Sequence, residues 1–269
     1  MRTLHSSSMC VVVACILALC FTNLFATQAS ASNVFEFIGE IDAQDPMSHL
    51  LAFYVNEFNP EELFLSVDSL PDSSGRIRDL YMNLVGVPIG GVRMDNLVVR
   101  MIGAQFNCPS EWAYGNVKSI DALQIYAYAL LREDDLNSHL ADRTFGRDDH
   151  WSRISMNISP DGIHARGTYS ARVLFITMNI LIEIDSGLRI VNNNTLWLDN
   201  YTVRVNRVNV PDHVTRRAVA QVQPLLDLRR FPLPLRLHNV KLEYGQAVLS
   251  TRILPEPIQG GISYHFRAE

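Results

Sequence analysis

Between Arg172 and Ile184 the chain reads RVLFITMNILIEI, and every second residue from Leu174 onward is a large aliphatic: Leu174, Ile176, Met178, Ile180, Ile182 and Ile184. The intervening set, Val173, Phe175, Thr177, Asn179, Leu181 and Glu183, is mixed. Side chains on a strand alternate between its two faces, so this pattern predicts a strand with one apolar face. At about 3.3 Å per residue it would run roughly 40 Å, against a usual strand of about 5–6 residues. A face that long has to be covered, either by the protein's own helices or by an apolar ligand. Aliphatic side chains stabilise by roughly 1.5–3 kcal/mol each on full burial, and they do so equally under either cover.

The first 31 residues stand apart from the fold. Arg2 gives a short basic start, Met9 to Phe21 is apolar, and Ala29-Ser30-Ala31 is a small-residue cleavage site, which together predict a secretory signal peptide cut after Ala31. The rival, an uncleaved anchor, needs about 20 apolar residues to span a bilayer, and Thr22 and Asn23 interrupt the run. Leu19 is too bulky to precede a lipidated Cys20. With the leader go Cys10, Cys15 and Cys20, so the exported chain keeps Cys108 alone and folds without internal disulfides. Its stability has to come from a hydrophobic core, for which the remaining 238 residues of 269 suffice.

Charge narrows the partners. Of 23 basic residues Arg2 leaves with the leader, so 22 face 28 acidic ones, a net charge near −6. That balance argues against nucleic acid as a partner. The basic set is almost all arginine, with Lys118 and Lys241 the exceptions. Arginine is the better bidentate partner for phosphate or carboxylate, although paired surface arginines account for the same composition.

Along the chain, Asp45-Pro46 predicts a helix start, with Asp as N-cap and Pro at the first helical position. The helix Met47–Phe58 ends at Asn59-Pro60. Strands follow at Phe64–Val67, Ile77–Val87 and Val92–Ile102, and Gly103–Gly115 reads as a loop. Val117–Leu131 is apolar on nearly every side and reads as a strand, followed by a short helix that Asp134 or Asp135 caps. Trp151–Ser159 and Ile163–Ser170 are strands around a turn at Pro160-Asp161-Gly162, leading into the long Arg172–Ile184 strand. Turns are expected at Asp185-Ser186-Gly187 and Asn192-Asn193-Asn194, a strand at Thr195–Val208, a helix from Pro211 to Val222, and a last hairpin around Gly245. This meander of antiparallel strands with about three helices gives an α+β fold. It divides into the leader 1–31, an N-terminal helix region 32–63, a main domain 64–254 and an irregular tail 255–269.

Catalytic and metal motifs are sparse. There is no G-x-S-x-G elbow, P-loop, Rossmann glycine fingerprint or H-E-x-x-H. Asp148-Asp149-His150 is the tightest run of metal-ligand types, and such a run is usually a solvated loop. The histidines 49, 139, 164, 213, 238 and 265 lack ligand spacing, and His164 beside Arg166 suits a paired surface role. Cys108 would need a nearby histidine to act as a nucleophile. Asp121, Glu133, Asp134 and Asp135 resemble a carboxylate pair, yet acidic residues are also expected as caps where a strand meets a helix. The reading is therefore of no catalytic residue, no metal and no cofactor.

Several segments together resemble the LmeA-like family of exported bacterial phospholipid-binding proteins. They are Val85-Gly86-Val87-Pro88-Ile89 leading into Val92–Ile102, Glu133-Asp134-Asp135-Leu136-Asn137-Ser138-His139-Leu140, and Gly162-Ile163-His164-Ala165-Arg166-Gly167. Val210-Pro211, Gln223-Pro224-Leu225-Leu226-Asp227-Leu228 and Phe231-Pro232-Leu233-Pro234-Leu235-Arg236-Leu237 complete the set. The resemblance runs over about seven tenths of the chain and rests on strand and proline patterns. It implies a tubular lipid-binding-like fold, in which a long, strongly curved antiparallel sheet wraps one or two helices around a hydrophobic cavity, and it brings no enzymatic residues.

The expectation is an exported, single-domain protein that holds a phospholipid or similar amphiphile in an apolar groove, in contact with a membrane surface, for transport or maintenance of the cell envelope. Leu174, Ile176, Met178, Ile180, Ile182 and Ile184, with Leu50 and Phe53 of the first helix, would line the groove. Arg166, Arg172 and Arg204 would face the headgroup. Two alternatives stay open: a scaffolding envelope protein whose sheet is filled by its own helices, and a hydrolase using Cys108 or an acidic pair.

Overall fold

The computed structural model describes residues 34–268, apart from 43, 90–91, 143–150, 174–175, 221–222 and 232. The signal-peptide expectation and the Asp148–His150 run therefore lie outside the described residues. The chain forms β1 (Val34–Phe37), α1 (Pro46–Phe58), β2 (Glu62–Val67), β3 (Arg76–Ile89) and β4 (Val92–Phe106). It continues through the one-turn α2 (Pro109–Trp112), β5 (Ser119–Arg132), α3 (Glu133–Asp142), β6 (Trp151–Ser159) and β7 (Gly162–Val173). Then come β8 (Ile176–Val191), β9 (Thr195–Val205), β10 (Val208–Asn209), α4 (Asp212–Val219) and β11 (Leu226–Asp227). A 3-10 turn (Leu228–Arg230), β12 (Asn239–Glu243), β13 (Gln246–Ser250) and β14 (Ile262–Arg267) complete it. Strand residues far outnumber helical ones, so the α+β expectation becomes a mostly β architecture with few helices.

The helix α1 starts where the sequence directs. Asp45 sits in extended conformation and its Oδ1 accepts from the Met47 N–H at 2.9 Å, while Pro46 occupies a position whose missing N–H costs nothing. Asn59 closes the helix in the left-handed region at φ 44°, one of the few residue types that tolerates it. Its buried stripe of Met47, Leu50, Leu51, Tyr54 and Phe58 joins one hydrophobic cluster with Leu63, Leu65, Leu80, Met82, Leu84, Leu97 and Val99 of the adjoining strands. Burial pushes the Tyr54 phenol well above its ordinary pKa, so it stays neutral. The α2 turn adds Trp112, fully buried, with its ring edge-on to Phe106 at 5.8 Å.

Those core strands belong to an eight-stranded sheet ordered β1-β14-β2-β3-β4-β5-β13-β12. It is antiparallel throughout except that β1 runs parallel to β14. The tail expected to be irregular is thus partly a strand, inserted between β1 and β2. Alternation in Ile262–Arg267 is present but short, and the preceding Gly260-Gly261 masks it; Gly261 is needed because a Cβ there would stand 2.4 Å from the Val67 carbonyl oxygen. The Gly103–Gly115 loop is also corrected: β4 runs on to Phe106, and Pro109 then opens the α2 turn.

A second, six-stranded group is ordered β10-β9-β8-β7-β6, with β11 pairing β9. Here the long Arg172–Ile184 strand is overturned. Val173 pairs with Ile176 and Arg172 with Thr177, both antiparallel, so the chain reverses and its two halves form the β7–β8 hairpin. Apolar residues run through the reversal without a Gly, Pro, Asn or Asp to mark it, which is why a period-2 reading passes straight over it. The turn expected at Asp185-Ser186-Gly187 is instead a bulge inside β8, where the register to β9 shifts between Asp185 and Gly187. Ser186 Oγ serves the interrupted ladder there, donating to the Asp199 carbonyl at 3.0 Å.

Candidate functional site

A cavity of about 850 Å³ is lined from both sheets. From the eight-stranded sheet come Leu97, Ala127, Ala129, Leu131, Ala247 and Leu249. Register places Leu97 beside Ala129 and Ala129 beside Leu249, one row across three strands. From the second sheet come Ile163, Ala165 and Gly167 on β7, then Ile182, Ile184 and Leu188 on β8. Ala165 faces Ile184 and Gly167 faces Ile182 in the ladder, so small residues of one strand stand beside large ones of the next. The segment 225–237 adds Leu226, Leu228, Phe231, Leu235 and Leu237, and Glu57, Phe58, Ile89, Val92, Leu136 and His139 are also in the lining.

The cavity and the core share a face. The side of the first sheet that α1 covers over β2–β4 continues over β4, β5 and β13, where it meets open space. Leu97, Ala129 and Phe58 belong to both. One end of this face is thus covered by α1, and the other end borders the cavity. Within the lining, Ile154, Met156, Ile182, Ile184, Leu188 and Leu198 are only half-buried.

The polar groups on this wall are few. Ser186 is committed to the β8 bulge, and Asp227 to capping the 3-10 turn and pairing with Arg229 at 2.6 Å. His139 differs: its Nε2 is buried and has no hydrogen-bond partner among the described residues. The helix α3 that carries it is tied down at its start. Glu133 accepts from the Ile158 N–H at 2.6 Å, and Arg93 bridges Glu61, Asp95 and Asp135. The hydrogen bond from Arg93 holds the Glu61 carboxyl below its usual pKa.

The expected groove residues divide. Ile182 and Ile184 line the cavity. Met178 is 48% exposed and Ile180 half-buried, and neither lines it. The reason is topological: β9 pairs with β8 only from Ile182 onward, so the earlier residues extend as a ribbon that β7 alone accompanies. Ile176 stands at the hairpin end in register with Val173, and Leu174 lies outside the described residues. Leu50 is fully buried in the core and Phe53 packs against it, both outside the lining, because α1 spends its apolar face on the first sheet.

The arginines divide too. Arg204 is engaged on the outer face, with Asp185 at 2.7 Å and Glu183 at 3.5 Å, and Asp185 also meets His164 at 2.6 Å. Arg172 takes its place in register with Thr177. Arg166 stands between Ala165 and Gly167 at the cavity's border, and its Nε donates to Ser155 Oγ at 3.0 Å.

The groups weighed as catalytic alternatives have partners of their own. Cys108 Sγ contacts the Ser73 carbonyl at 3.3 Å and Ser110 Oγ at 3.0 Å. Asp121 accepts from the Ala122 N–H, and Asp135 pairs with Arg93. Among the described residues no group of three or more His, Cys, Asp or Glu is placed to hold a metal ion, and no helix is long and apolar enough to cross a membrane.

Sequence reasoning missed the alanines. Ala127 and Ala129 sit in the run that looked apolar on every side, and Ala165 in a short strand. The available signal was parity, with small residues recurring at alternate positions of strands that carry large aliphatics.

Comparison with curated proteins gives no match, and comparison with solved structures gives none. Residues 62–252 match the family model described as LmeA-like phospholipid-binding. That span covers most of the chain and contains the strands that build the cavity, and the protein belongs to this family.

Proposed function

We propose that the protein holds a phospholipid, its acyl chains in the cavity between the two sheets. The observation that carries this is the cavity itself: about 850 Å³ of space walled by aliphatic side chains from at least six strands and one connecting segment. Ligand pockets run about 300–1,000 Å³. At about 30 Å³ for a water-sized group, a methylene being similar, the space takes roughly thirty such groups, or about two ordinary acyl chains. Family membership supports a phospholipid over other apolar ligands.

In this reading the two curved sheets enclose the chains, and α1 reaches them only at its last residues. The protein acts as a binder, and the wall supplies no chemistry. It works outside the cytoplasmic membrane after removal of its leader near Ala31, carrying lipid between envelope membranes or maintaining them. The scaffolding alternative requires the apolar face to be filled by the protein's own side chains, and the half-buried Ile182, Ile184 and Leu188 favour a ligand instead.

Mass spectrometry of organic extracts from the purified protein tests the proposal. Phospholipid is expected at a molar ratio near one. If none co-purifies, and none binds when phospholipid vesicles are offered, the proposal fails.

A further inference from the structure

A smaller pocket, of about 450 Å³, opens on the other face of the second sheet, bounded by Arg153, Ile154, Ser155, Arg166, Thr168 and Leu181. Two of these, Ile154 and Arg166, also border the large cavity. Ile154 sits in a bulge, with Arg166 next to it in the ladder. In the β6–β7 ladder Ser152 pairs with Thr168 and Ser155 with Arg166, so Arg153 and Ile154 together oppose the single Gly167. Arg153 takes φ 51° there, a left-handed conformation uncommon for a residue with a Cβ. Bulges on edge strands re-aim side chains, and β6 is the edge.

Charge makes the pocket unusual in an acidic chain. Glu183 lies across the ladder from Arg166 but is not among the residues that bound the pocket; it stands 3.5 Å from Arg204, whose closer partner is Asp185 at 2.7 Å. Arg166 is left with the hydroxyl of Ser155, and Arg153 has no ion pair among the described residues. Arg153, Arg166, Ser155 and Thr168 thus border one space whose lining includes no carboxylate residue, and Arg166 also borders the apolar cavity. Arginine's planar fork matches phosphate oxygens, and such charge-assisted hydrogen bonds are about twice as strong as neutral ones.

We propose that this pocket is a phosphate subsite, in which Arg153 and Arg166 hold the phosphate of a lipid whose acyl chains occupy the adjoining cavity. The inference rests on the lipid reading of that cavity and adds a preference: phosphate-bearing lipids over neutral ones with the same chains.

Dioleoylphosphatidylglycerol and dioleoylglycerol carry identical acyl chains and differ in the phosphate. Their binding to the purified protein and to an Arg153→Ala/Arg166→Ala variant separates the two questions. The protein should prefer the phosphatidylglycerol by at least about ten-fold. The double variant should lose that preference while holding dioleoylglycerol within about two-fold of the original protein. Arg153→Lys/Arg166→Lys, which keeps the charge and loses the fork, should fall between them. A double-alanine variant that keeps the preference, with thermal melting unchanged, overturns the subsite and leaves the cavity reading standing. Failure of both lipids to bind overturns the two together. Inorganic phosphate binding as tightly as the lipid would assign the pocket to a free anion and overturn the proposal.

Discussion

Ala165→Trp is expected to cut the phospholipid recovered in organic extracts by at least about ten-fold while the protein still folds. Ala165 lines the cavity on β7, half-buried, in register with Ile184. An indole there enters space rather than a packed core, so the usual overpacking cost of about 1–3 kcal/mol does not arise in full. Filling a cavity more often contributes about 0.5–2 kcal/mol of stability. The acyl chains lose the row between Ala165 and Ile184, and the wall has no second set of small residues on β7 beyond Gly167 to take them. Asn179→Trp, on the exposed β7–β8 ribbon, is the control and should leave the extracted lipid unchanged. Thermal melting and extracted lipid per mole of protein are the two readouts. Ala165→Trp with full lipid content would place the chains elsewhere.

Trp112→Ala is expected to do the reverse: it lowers unfolding stability by about 3–5 kcal/mol and leaves lipid content per folded molecule unchanged. Trp112 is fully buried against Phe106, and its Nε1 donates to the Asn107 carbonyl and Oδ1, both at 3.1 Å. Truncation leaves a void and takes the indole donor from the Asn107 carbonyl, while Asn107 Oδ1 keeps the Lys118 N–H at 2.8 Å. None of this touches the cavity lining. Urea unfolding monitored by circular dichroism measures the loss as a shift in midpoint at constant slope. A variant that unfolds as calculated but also loses lipid well below its transition would mean that core and cavity are one energetic unit.

How far the sequence discloses this molecule depends on whether a signal is local. The helix α1 is legible to the residue, because Asp45, Pro46 and Asn59 act on the backbone beside them. The β6–β7 turn and the final hairpin are legible for the same reason, through Pro160, Asp161 and Gly245. The reversal between Val173 and Ile176 is not, since the alternation continues in phase across it and no turn residue interrupts. Ser186-Gly187 shows the opposite failure: turn-forming residues serve a bulge within a continuing strand. Parity identified Ile182 and Ile184 as one face, but only long-range pairing decides that Met178 of the same parity protrudes beyond β9. The cavity depends on alanines and Gly167 opposite large aliphatics, a relation between strands distant in sequence, and no window on a single segment contains it.

A phospholipid carrying a photoreactive diazirine near the end of one acyl chain tests the central claim most directly. After loading and irradiation, the labelled peptides should contain Ile182–Leu188 of β8 or the segment 225–237, both in the cavity lining. Label confined to the exposed apolar residues Ile120, Leu123, Ile253 and Leu254, outside the cavity, would contradict it.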